Sequence, residues 1–181
     1  MNISYRTVRS DRRTIAIQIT PAGEVVVRCP RRMRAEDVRR FVESKAGWIT
    51  THLAKFEGRP ILPPFTAAEI DALADRALKY IPGRVKHFAP MIGVTCGGIT
   101  IRSQRTRWGS CSSKGNLNFN CLLMLLPPEI IDYVVVHELC HRKEMNHSPK
   151  FWAQVERILP NYRILKQQLK EQGGPLIARL P

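Results

Sequence analysis

The sequence predicts an α+β fold, and three observations carry that reading. Three short stretches near the N-terminus (3–9, 14–19 and 24–29) alternate or favour β-branched residues. Two long regions, 35–91 and 128–173, repeat apolar residues at helical spacing. Between them lies a second group of short β-rich stretches. At 181 residues the chain has room for one ordinary domain, or one with a small appendage.

Turn signals, SDRR and then TPAG, separate ISYRTVR, TIAIQI and EVVVRC, which predicts a small antiparallel meander. Over 35–57 the period changes, with Val38, Phe41, Val42, Ala46, Ile49, Leu53 and Phe56 on one side of a helix. GRPILPPF (58–65) holds three prolines and one glycine and marks a boundary. The expected division is therefore 1–60, a β-meander plus helix, and 64–181, a second domain.

Thr66 and Glu69 form a capping box ahead of Ile70, Leu73, Ala74, Ala77, Leu78 and Ile81. Pro82 and Gly83 are expected to interrupt that helix, with a second piece running to about Met91. Residues 92–103 predict one or two short strands. RTRWGSCSSKG reads as a loop, and LNFNCLLML (117–125) as a buried strand. Pro127 and Pro128 stop that strand and start a helix over about 128–144. Its three consecutive valines are mediocre helix formers, so tertiary packing must hold them. Ser148 and Pro149 cap a further helix with Phe151, Trp152, Val155, Ile158 and Leu159 on one face. A last helical piece follows Tyr162 and is expected to end at Gly173 and Gly174.

Composition excludes several classes. No run of about 18 apolar residues is present, so no membrane span is expected. The N-terminus lacks the apolar core of a signal peptide, which predicts a cytoplasmic protein. Five cysteines (29, 96, 111, 121 and 140) form no CxxC pair and read as reduced thiols, with Cys140 filling core. Net charge is +14, and residues 1–60 and 61–181 contribute +7 each. Such a surface attracts anions. Nucleic acid is one candidate partner, motivated by Arg31, Arg32, Arg34, Arg39 and Arg40. That cluster lacks the interleaved aromatics of single-strand binders.

The stretch VVVHELCHRKEMNHSPKFW carries the chemistry. His137 and His141 are four residues apart, so a helix stacks them within reach of one ion. Glu138 falls on the flank of that face, placed to take a proton from a metal-bound water rather than to ligate. Catalytic zinc takes three protein ligands and keeps one position open. His147 supplies the third, at the HExxHxxxxxH spacing of metzincins. Those enzymes have glycine where Glu144 stands here, so the turn is expected later, at Asn146. Glu156 on the following helix is the rival ligand. His52 and His87 stand alone and read as solvated.

RWGSCSSKGNLNFN, PPEIIDYVVVHELCHRKEMNHSPKFW and LPNYRILKQQLKEQG together resemble the YgjP-like family of metal-dependent, metallopeptidase-like hydrolases. That family is related in outline to SprT-like and Wss-type zinc proteases. The resemblance covers about 95–173 and extends weakly over the N-terminal half. It implies a zincin-like core of small sheet, active-site helix and backing helix. It also implies His137, His141 and His147 as ligands to one Zn2+, or another divalent metal, and Glu138 as general base.

WGSC (108–111) is the family's other mark. Trp108, Ser110, Arg105, Arg107, Asn118 and Asn120 are the candidate substrate contacts. The two asparagines stand on a strand expected to border the cleft and align a peptide by strand addition. Three functions are expected to compete. The first is a zinc peptidase acting on a peptide or protein. The second is a nucleoside triphosphate pyrophosphatase, for which the resemblance leaves room, UTP included. The third is a nucleic-acid-associated binding module or DNA-associated protease.

Overall fold

The computed structural model describes residues 3–20, 23–54 and 62–180. The end of the first predicted helix (55–57), the first half of the proline-rich boundary (58–61) and part of the TPAG turn lie outside the described residues. The chain divides into two compact units, residues 1–63 and 64–181.

In the first unit three strands, β1 (Arg6–Ser10), β2 (Ala16–Ile19) and β3 (Val25–Pro30), form a sheet of order β1-β3-β2. The predicted antiparallel meander is corrected here. β1 runs parallel to β3, and only β2 is antiparallel to it. The cause is the composition of β3. Val25, Val26 and Val27 are all buried, so this strand takes the centre, while the arginine-bearing β1 takes an edge. Val25, Val27 and Cys29 pack with Val38 and Val42 of α1 (Ala35–Ser44) and Ile49 of α2 (Ala46–Leu53). The single predicted helix divides at Lys45, whose backbone leaves the helical region at φ −110°, ψ 10°.

In the second unit the helix expected to break at Pro82 does not. α3 runs continuously over Ala67–Ile92, with Pro82 and Pro90 inside it. An interior proline costs a helix about 3 kcal/mol. Leu73, Ala77, Ile81, Val85, Phe88 and Ile92 all bury along one stripe, and that burial offsets the cost. The Thr66–Glu69 capping box starts the helix as predicted, and Gly93 ends it at φ 76°.

β4 (Ile99–Arg102), β5 (Gly109–Cys111) and β6 (Leu117–Asn120) form a second sheet of order β4-β6-β5. Two expectations fail here. The WGSC segment contributes β5 rather than a plain loop. The apolar run after Asn120 is a 3-10 turn, Cys121–Leu125, because a short buried run does not distinguish strand from helix by periodicity.

α4 (Pro128–Cys140) packs against β5, with Ile130, Ile131, Val134, Val135, Val136 and Leu139 in the core. It ends at His141, earlier than expected. Arg84 fastens it to α3 through a bidentate pair with Asp132, at 2.6 and 2.7 Å. α5 (Pro149–Ile158) starts on the Ser148 cap as predicted. α6 (Tyr162–Ile177) runs through Gly173 and Gly174 rather than stopping there. The α+β architecture is thus the one expected, with a small sheet, a histidine-bearing helix and backing helices.

Candidate metal centre

α4 presents His137 and His141 one turn apart, and the turn after it returns His147 to them. One ring nitrogen of each lies within 4.8 Å of the others. The Nε2 atoms of His137 and His147 face each other at 3.0 Å. The Nδ1–H of His141 donates to the Glu144 carbonyl at 3.0 Å. A carbonyl only accepts, so this bond fixes the tautomer and leaves the His141 Nε2 lone pair free.

These donors fit a divalent metal. Ligands at about 2.0–2.1 Å in a tetrahedron stand about 3.3 Å apart, within the spread seen here. Burial, and then the neighbouring His141 and His147, push His137 down to about 3. Burial likewise lowers His147. Both rings are therefore neutral at pH 7, as metal ligands must be. Phe151 packs against all three rings, with centroids 4.5–4.9 Å away.

Glu138 is 5% exposed, and burial raises it to about 8 against the pull of Arg107. Its carboxylate has room because β5 has no side chain where it meets α4. A Cβ at Gly109 would lie 2.6 Å from Glu138 Oε1. Trp108 beside it seats its indole against α6, where a Cβ at Gly173 would collide with the ring.

The other sequence candidates separate. Glu156 reaches toward Arg163 (3.9 Å) and is not part of the histidine cluster. Arg105 and Arg107 are exposed on the loop before β5. Ser110 alternates with Gly109 and so points to the opposite face of the sheet. There it accepts from Asn118, which in turn accepts from Arg102. Asn120 is buried. It donates to the carbonyls of Gln104 and Arg107 and accepts from Leu122 N–H, shaping the loop. β6 is central, so strand addition to it is closed; β5 is the edge strand nearest α4.

The sequence reading passed over four residues at the site. Tyr133, one turn before His137, has its ring 5.9 Å away. Burial pushes its hydroxyl up to about 12. Trp152 stacks on His147 at 5.6 Å and on Tyr162 at 5.3 Å. Lys166 sits over the Trp152 ring, 4.3 Å from its centroid. Only Tyr133 had a local signal, its position four residues before His137.

The profile of the YgjP-like family, metallopeptidase domain, matches residues 13–70 and 62–172. Among solved structures, the chain is similar to the metallopeptidase zymogen abylysin of Pyrococcus abyssi. Identity is 22%, TM-score 0.48, and coverage 51% of this chain and 93% of that one. It is also similar to the zymogen jannalysin of Methanocaldococcus jannaschii, at 19% identity and TM-score 0.46, covering 51% and 95%. Comparison with curated proteins returns no match. The chain belongs to the YgjP-like metallopeptidase-domain family.

Proposed function

We propose that this protein is a zinc-dependent peptidase, with His137, His141 and His147 holding one ion and Glu138 acting as general base. The observation that carries this is the convergence of three imidazoles beside the buried carboxylate of Glu138. Three nitrogen ligands match a catalytic zinc site with an open position. Bound there, zinc would supply Lewis-acid polarisation of a carbonyl and acidify water.

The chain's own groups do the rest. His141 is held in one tautomer by the Glu144 carbonyl. Glu138, made more basic by burial, takes up a proton at its carboxylate near neutral pH and delivers it to the leaving amine. Gly109 keeps space for that carboxylate. β5, as an edge strand, is positioned to align an extended substrate by backbone pairing.

The test offers the zinc-loaded protein unstructured polypeptides and a panel of nucleoside triphosphates. Peptide cleavage is expected. Pyrophosphate release with the peptides intact would overturn this reading in favour of a nucleotide hydrolase.

A further inference from the structure

We infer that the cleft selects acidic peptides, and that Lys166 is the residue that selects them. The inference rests on the peptidase reading and names the substrate class of that site. Lys166 is exposed, yet its ammonium is held over Trp152 at 4.3 Å. That same indole lies 5.6 Å from His147 and 5.8 Å from His137. The positive charge is therefore anchored beside the metal ligands.

Among the described residues, no carboxylate pairs with Lys166. Its helical neighbours at three and four residues are Tyr162, Arg163, Leu169 and Lys170. The nearby acids are engaged elsewhere, Glu156 toward Arg163 and Glu171 with Gln167.

A second cation stands near the site. Arg107 lies two residues before Gly109, which abuts Glu138. Its guanidinium makes no hydrogen bond or ion pair among the described residues.

Lys166 and Arg107 thus place two cations near the metal centre, one held over Trp152 and one acting on Glu138. Charges carried on two different elements, α6 and the loop before β5, suit an extended chain with acidic residues near the scissile bond. A compact polyphosphate would want converging cations, but Arg102 is turned onto the far face of the sheet, where it binds Asn118. Charges at a cleft rim act on encounter and partner choice more than on chemistry.

The experiment uses matched peptides with Glu, Gln or Lys beside the cleaved bond. It compares the zinc-loaded wild type with Lys166→Gln, Lys166→Glu and Arg107→Gln. Binding of the same peptides to zinc-loaded Glu138→Gln gives a readout without turnover. The wild type should favour Glu over Gln in kcat/KM by roughly threefold or more at low salt, and less at high salt. Lys166→Gln should bring that ratio close to one, and Lys166→Glu should invert it. Cleavage with a flat ratio in the wild type, or with the same ratio in every variant, overturns this inference and leaves the peptidase reading standing. No cleavage of any peptide, with none bound by Glu138→Gln, overturns both.

Discussion

Each unit of the chain builds a three-stranded sheet in which the last strand is central, the first runs parallel to it and the second antiparallel. They differ where the second strand meets the covering helix. In β2 the inward position opposite Val27 is Ile17, which packs with the cluster of Val38, Val42 and Ile49. In β5 the inward position opposite Phe119 is Gly109, and the vacated volume holds the Glu138 carboxylate. One sheet therefore closes on hydrocarbon, and the other leaves room for a buried charge-bearing group. On this scaffold, one missing side chain on an edge strand is as much part of the candidate site as the histidines.

The comparison can be broken most severely at α4. His141→Ala removes the proposed ligand whose ring is held by the Glu144 carbonyl and leaves two imidazoles. Zinc should no longer copurify at one ion per chain, and hydrolysis should vanish, as metal analysis and a peptide assay would show.

Making β5 resemble β2 comes next. In Gly109→Ala the new Cβ meets Glu138 at 2.6–2.9 Å, so the carboxylate must move. Displacing a catalytic group by about 1 Å can cost roughly 10²-fold in rate. Overpacking should lower stability by about 1–3 kcal/mol, read by denaturant unfolding.

The buried carboxylate also gives the second unit a pH signature that the first lacks. In metal-free protein Glu138 titrates near 8, against about 4.5 when unfolded. Between those values the folded state keeps a proton that the unfolded state releases, so stability falls as pH rises. His137, lowered to about 3, acts in the opposite sense up to its unfolded value of 6.5. The net decline should therefore emerge between pH 6.5 and 8, at up to about 1.4 kcal/mol per pH unit. Glu138→Gln should abolish it in unfolding titrations.

The mildest change is Ile17→Ala in the first unit. It should cost about 1–3 kcal/mol of stability for partial loss of a half-buried side chain, and leave peptide hydrolysis unchanged.

Legibility followed the same divide. Features set by local spacing could be read directly. The turn of helix between His137 and His141, the Thr66–Glu69 capping box and the Ser148 cap depend only on near neighbours. The return of His147 came from a ten-residue offset that the turn at 141–148 realises. Features set by packing could not be read. α3 survives Pro82 because its apolar stripe is buried. β1 lies parallel to β3 because three buried valines claim the centre of the sheet. Lys166 and Trp152 reach the site only through the docking of α5 and α6 against α4. Gly109 appeared as a turn residue in a polar stretch, and its purpose is visible only once Glu138 stands opposite it.

In the proposed mechanism the three histidines hold the metal while Glu138 moves the proton. The most direct test measures zinc content and peptide hydrolysis of Glu138→Gln beside the wild type. The account predicts one zinc per chain in both proteins, with the rate reduced about 10²–10⁴-fold in the variant. Undiminished hydrolysis by zinc-loaded Glu138→Gln would contradict it.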